Sequence, residues 1–115
     1  HERARFAALA ARFRKAAAAN DDVGFIRTDN EYNELTITTA RNEFAAAAMR
    51  LMQPLSRRFW YMHYKQAADM PLTANLHAAI ADAIALGDEA AAAGATDSLM
   101  DHIESFTRAT IDTDV

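Results

Sequence analysis

Asp29 and Asn33 stand one helical turn apart, and at about 100° per residue Asp29, Asn33, Thr36, Ile37 and Ala40 share one sector of a helix. A carboxylate and a carboxamide on the apolar side of a helix can hold a metal ion through oxygen or hydrogen-bond a polar ligand. His77 follows Leu76 and shares a side with Ile80 and Ile84, so its imidazole is expected to point inward; His102 lies likewise beside Ile103. Arg58 falls near the stripe Phe44, Leu51, Leu55 and Met62, from which its guanidinium could clamp a carboxylate. Each residue alone has a plain structural explanation. An inward histidine commonly bonds a carbonyl, and Asp29 could serve only the dipole of a first helical turn. Several polar groups facing one interior are a different matter, because their desolvation must be offset by one another or by a ligand. The run Phe59-Trp60-Tyr61, with Tyr64, points in several directions around a helix and reads as core plus a dimer or interdomain surface, not as a platform for stacking bases.

The elements that must position these groups follow from an alanine-rich composition. Alanine occupies 28 of 115 positions, beside 3 Gly and 2 Pro, so local preference is helical nearly throughout. Phe6, Leu9, Ala10, Phe13 and Ala17 mark a first amphipathic helix from about Glu2 to Ala19. Asn20-Asp21-Asp22 breaks it, and a second helix begins at Val23 or, if Thr28 and Glu31 form a capping box, at Asp29; both readings make Asp29 to Ala40 helical. Arg41-Asn42 leads into a long third helix marked by Phe44, Ala48, Leu51, Leu55, Phe59 and Met62, with a kink expected at Pro54. Gln66 to Met70 reads as a loop and Pro71 as the first turn of a fourth helix, whose stripe is Leu76, Ile80, Ala83 and Ile84 and whose stop is Gly87. Asp88 or Glu89 opens the last helix, with Ala95, Leu99, Ile103 and Phe106 on one face and a tail from Thr110 that is expected to fray. Five helices with short connections predict an all-α antiparallel helical bundle in a single domain.

At 51% hydrophobic residues the chain can build a core without disulfides or a structural metal, since folding at this length removes roughly two-thirds of the unfolded surface. The absence of Cys excludes zinc fingers, thiol nucleophiles and CxxC redox pairs. A net charge of −4 without a basic run argues against nucleic-acid binding by this segment itself. No apolar stretch approaches the roughly 20 residues needed to span a bilayer, so no membrane partner is expected. GxGxxG, Walker A, HExxH, GxSxG and paired ExxH motifs are all absent, as is a His-Asp dyad of the kind that marks helical phosphohydrolases, so an enzyme is not expected. The chain opens at His1 in a helical pattern with neither Met nor a signal-peptide pattern, which suggests a fragment of a longer protein.

Three segments in order carry a family resemblance. Asp29-Asn30-Glu31-Tyr32-Asn33, then Ala40-Arg41-Asn42, then Leu76-His77-Ala78-Ala79-Ile80-Ala81-Asp82-Ala83-Ile84 running into Gly87-Asp88, resemble the FCD effector domain of FadR-like GntR transcriptional regulators. In that family a D-x-x-F-H motif opens a helix, an Asn follows in an S-G-N turn, and an H-x-x-I-x-x-A-I segment ends in G-D. The resemblance covers about Glu2 to Ile111. It implies an all-α ligand-binding and dimerisation domain that follows a winged helix-turn-helix, with neither the DNA-binding domain nor the first effector helix inside this chain. It further implies a bacterial, cytoplasmic homodimer that contacts DNA only through that other domain and responds to a small carboxylate effector.

The family commonly holds a divalent metal, often zinc or nickel, on the motif's Asp and His, the His of the later helix and a His on the final helix. A small organic acid binds at or near it. The resemblance maps the Asp onto Asp29 and the later-helix His onto His77. Asn33 stands where the motif has His, and Ser98 where the final-helix His falls, with His102 one turn further on. Asn ligates more weakly than imidazole, and Ser is a poor ligand for zinc. The resemblance therefore implies either a metal on Asp29, Asn33, His77 and His102 completed by water and effector, or a metal-free pocket. In the metal-free form Asp29, Asn33, His77, Arg58 and Ser98 are the candidate ligand contacts. The alternative to both is a helical dimerisation or interaction module whose inward polar groups are only structural.

Overall fold

A computed structural model describes residues 2–67 and 69–114, with side chains described for all of these except 43, 45, 52, 56, 61, 63–67 and 112–114. The described residues form α1 (Glu2–Ala19), α2 (Asp22–Ala40), α3 (Glu43–Ala67), α4 (Met70–Leu86) and α5 (Glu89–Asp114), and no strand. Three helices start on an aspartate. Asp21, Asp69 and Asp88 accept hydrogen bonds from the backbone N–H of Gly24, Leu72 and Ala91 at 2.9, 3.0 and 3.0 Å. Each cap satisfies an N–H that would otherwise lack a partner and sets a negative charge at the positive end of the helix dipole. Gly87 stops α4 at φ 72°, a left-handed conformation that glycine adopts without steric cost, and its N–H returns to the carbonyls of Ala83 and Ile84.

Alanine decides which helices come closest. Ala10 of α1 and Ala74, Ala78 and Ala81 of α4 are all fully buried, and α1 and α4 form the most intimate helix pair. Small residues on both faces let the two axes approach, with Phe6, Leu9, Phe13 and Ile80 filling the space around them. α5 packs on α4 and α2 packs on α1, while α3 touches α2 and α5 only lightly. Phe6 meets Tyr32 and Phe13 meets Phe25, so α2 runs antiparallel to α1. Arg12 on α1 pairs with Glu31 on α2, and that hydrogen bond holds the Glu31 carboxyl below the usual carboxylate range. Tyr32 lies behind this pair, where burial pushes its phenol up and keeps it neutral.

The fold class agrees with the sequence, and the differences are local. α2 begins at Asp22 on the Asp21 cap, so Thr28 and Glu31 form no capping box. Thr28 is instead buried inside the helix and donates to the Gly24 carbonyl at 2.7 Å. α3 stays helical through Pro54 and as far as Ala67, and α4 already includes Met70, so within the loop expected from Gln66 to Met70 Asp69 is non-helical, and position 68 lies outside the described residues. The tail does not fray at Thr110. That residue is 1% exposed and donates to the Phe106 carbonyl, and α5 continues to Asp114; Val115 lies outside the described residues.

The largest correction concerns α3. Of the expected core stripe Phe44, Ala48, Leu51, Leu55, Phe59 and Met62, all but Phe59 are exposed, Phe44 by 90%, while Phe59 packs on Phe106 at the cavity wall. Gln53, Arg57 and Trp60, spaced i, i+4, i+7, lie on the opposite side of the helix and face the other helices. Apolar periodicity locates a buried face only when the strongest stripe is the one covered, and on α3 it is not.

The alanine-built pairing predicts an uneven response to truncation. Phe13→Ala, at a site touching Phe25, Tyr32 and His77, should cost about 3–5 kcal/mol in urea unfolding followed by circular dichroism. Leu55→Ala on the exposed stripe should change stability by no more than about 0.5 kcal/mol at protein concentrations where the chain is monomeric. Equal losses at the two positions would contradict the assignment of faces.

Candidate functional site

Between α2, α3, α4 and α5 lies a cavity of about 380 Å³. Small-molecule pockets run from roughly 300 to 1,000 Å³. Each helix contributes residues spaced by one turn: Phe25, Asp29 and Asn33 from α2, Gln53, Arg57 and Trp60 from α3, Thr73 and His77 from α4, and His102 and Phe106 from α5. Ile26, Phe59, Ile103 and Thr107 complete the wall. Among the described residues six aromatic and aliphatic side chains form the apolar wall, and the other eight lining residues carry polar groups that can orient a ligand.

His77 is the best determined of these groups. Its ring lies among Phe13, Phe25 and Tyr32 at centroid distances of 5.0, 5.6 and 5.8 Å. Nδ1 is 2.8 Å from the Thr73 carbonyl, an acceptor only, so Nδ1 carries a proton and donates. Nε2 then faces Asp29 Oδ1 at 3.2 Å. Two lone pairs would repel at that distance. The contact is favourable when Nε2 is also protonated, making an imidazolium–carboxylate pair, or when a cation lies between the two atoms. Asn33 Nδ2 donates a long hydrogen bond of 3.4 Å to the other carboxylate oxygen of Asp29.

Thr73 also organises the second histidine. Its hydroxyl donates to the Asp69 carbonyl at 2.8 Å and contacts His102 Nε2 at 2.7 Å. With its own proton committed to Asp69, Thr73 Oγ1 accepts, and His102 Nε2 is the donor. One threonine thus ties the start of α4 to α5 and orients His77 one turn further along its own helix.

Of the sequence candidates, Asp29, Asn33, His77 and His102 line one cavity. Arg58 and Ser98 do not. Arg58 is exposed, because it was placed by projection from a stripe that faces outward. Its neighbour Arg57 lines the cavity instead, half-buried. Ser98 is exposed on α5 and donates to the Gly94 carbonyl at 3.2 Å. Sequence reasoning missed Arg57, Gln53 and Thr73. The spacing of Gln53, Arg57 and Trp60 could have exposed the first two, and the position of Thr73 four residues before His77 could have exposed the third.

Among the described residues the donor set does not fit a resident metal ion. Asp29 Oδ1 and His77 Nε2 are spaced as two ligands of one tetrahedral ion would be, since bonds of 2.0–2.2 Å place such atoms about 3.3 Å apart. The other half of a site is wanting. His102 Nε2 is committed to Thr73, Ser98 is on the surface, and Asn33 offers only an amide. Among the described residues no group of three or more His, Cys, Asp or Glu is arranged to hold a metal.

The family model of the FCD domain matches residues 1–104, a span that includes Asp29, Asn33, His77 and His102. No curated protein and no solved structure matches the chain. From the donor count, protein purified without affinity tag or chelator and dialysed into metal-free buffer should carry zinc or nickel far below one ion per chain by elemental mass spectrometry. A near-stoichiometric ion that disappears in the Asp29→Ala, His77→Ala double variant would contradict that count.

Proposed function

The chain belongs to the FCD domain family, the regulatory effector-binding domain of GntR-family transcriptional regulators. From that premise we propose that its cavity receives a small organic acid and that occupancy alters DNA binding by a dimer of the whole regulator. The observation that carries this reading is the convergence of Asp29, His77 and Arg57 from three helices on one cavity of about 380 Å³. A purely structural core would not leave such a space lined by charged groups, because each charge taken from water needs compensation. The amide of Asn33 and the guanidinium of Arg57 supply the hydrogen bonds, His77 holds Asp29 in place, and the aromatic wall supplies apolar contact. Transcriptional regulators are generally not enzymes, and this reading asks for no turnover.

The mechanism is a population shift. Four helices wall the cavity, and a ligand bridging Arg57 on α3 to Asn33 on α2 stabilises one arrangement of α3 against the rest. DNA affinity changes only to the extent that the ligand binds the two dimer arrangements with different affinity. In this reading DNA is contacted by a winged helix-turn-helix domain beyond this chain, and the regulator works in the cytoplasm. A homodimer is part of the proposal, supported by the exposed apolar residues Phe44, Leu51, Leu55 and Met62 along α3. That same stripe favours the second reading, a dimerisation module without a ligand. No described helix is long and apolar enough to cross a membrane.

A thermal-shift screen with mono-, di- and tricarboxylic acids separates the two readings. A ligand at about 100 times its Kd stabilises by about 2.7 kcal/mol, which raises the midpoint by roughly 10 °C for a domain of this size. The account expects at least one acid to do so, and expects the Asp29→Asn, His77→Gln double variant to keep its helical circular dichroism and lose the response. A double variant that responds like the wild type would remove the site assignment. No response to any acid would favour the dimerisation module.

A further inference from the structure

We infer that the cavity's ligand is an aromatic monocarboxylate, with its carboxylate on Arg57 and its ring against Trp60, Phe25 and Phe106, bound without a metal ion. This rests on the reading of the cavity as the effector site and narrows it to a chemical class.

Arg12, Arg14, Arg41, Arg50 and Arg108 each pair with a carboxylate. Arg57 is half-buried at the cavity wall, and among the described residues no carboxylate pairs with it. A guanidinium is always charged and presents a planar fork that matches a carboxylate. Among the described residues the only acidic side chain lining the cavity, Asp29, is already engaged by His77 and Asn33. Arg57 is thus a fixed positive charge on the wall without a carboxylate of its own among the described residues. Among those residues no second Arg or Lys lines the cavity, so a di- or tricarboxylate would leave a carboxylate unpaired there, which selects a monoanion.

The wall selects the rest of the molecule. Phe25 and Trp60 have centroids 5.3 Å apart at 48°, and Trp60 and Phe106 are 5.5 Å apart, edge to face. Phe59 extends the cluster, 5.7 Å from Phe106. Trp60 lies one turn from Arg57 on the same helix, so a ligand with a ring close to its carboxylate reaches both. Aromatic rings prefer offset and edge-to-face partners to saturated groups of similar size. Metal independence follows from the donors: the carboxylate is held by Arg57, while the site's potential ligands, Asp29 and His77, satisfy each other.

Trp60 is the chain's only tryptophan, so its emission reports ligand at the cavity directly. The experiment titrates the protein in EDTA with phenylacetate, phenylacetamide, cyclohexylacetate and succinate, then repeats the series with zinc in place of EDTA. Phenylacetate should bind in EDTA. Phenylacetamide on the wild type and phenylacetate on Arg57→Gln should both bind at least tenfold more weakly, and cyclohexylacetate roughly 3- to 10-fold more weakly. The amide comparison needs no variant, so a misfolded Arg57→Gln, detected by circular dichroism, leaves the test intact. Binding of succinate in preference to phenylacetate, or binding of any of these acids only with zinc, would overturn this inference and leave the effector reading standing. No binding of any acid, with or without zinc, would overturn both.

Discussion

The imidazole of His77 is the constraint on which the cavity depends. Its Nδ1 proton goes to the Thr73 carbonyl, its Nε2 faces Asp29, and Phe13, Phe25 and Tyr32 surround its ring. A buried polar ring in that environment would cost several kcal/mol if its nitrogens were unpaired. Pairing it requires Thr73 at one turn's distance and an acid from the neighbouring helix, and both are present. The same threonine takes a hydrogen bond from His102 and donates to Asp69, the residue that caps α4. Asp29 on α2, His77 and Thr73 on α4 and His102 on α5 are thus joined in a single connected network, which holds three walls of the cavity in fixed relation.

The fourth wall is held differently. α1 and α4 interlock through alanines and form a rigid back, whereas α3 touches its neighbours lightly and leaves its strongest apolar stripe exposed. The radius of gyration, 14.1 Å, slightly exceeds the value of about 13 Å expected for a compact chain of this length, in keeping with a helix that stands off the core. Elements with few buried contacts open and shift at the smallest free-energy cost. Arg57 and Trp60 both belong to this helix. A ligand that bridges them to the fixed network adds contacts to the one element that has few of its own, which is how a small molecule can bias the position of a long helix.

Much of this was legible in the sequence, because the physics was local. Phe6, Leu9, Ala10, Phe13 and Ala17 read as a buried stripe and are all buried. Gly87 read as a stop and adopts the left-handed conformation that stops a helix. Asp29, Asn33 and His77 were found because polar groups on otherwise apolar faces stand out against the helical period. What failed depended on tertiary context. No periodicity reveals which side of α3 is covered, and choosing the richer apolar stripe put Arg58 inside and Arg57 outside, the reverse of the structure. Ser98 was placed by correspondence with a family position, and correspondence does not require that a side chain still face the interior. Thr73 drew no notice because threonine within a helix usually bonds its own backbone; only the approach of His102 from α5 gives it a second function.

The central claim is that an organic acid enters the space between α2, α3, α4 and α5 and nowhere else. The most direct test is to map amide, indole and imidazole resonances of the labelled chain while a mixture of small organic acids is added. The account predicts shifts concentrated at the Trp60 indole, the His77 ring and the amides around Thr73 and Phe106, with no shift at Leu9 and Leu35, which line a separate groove between α1 and α2. Shifts centred on that groove, or spread thinly over the surface with Trp60 and His77 unchanged, would contradict it.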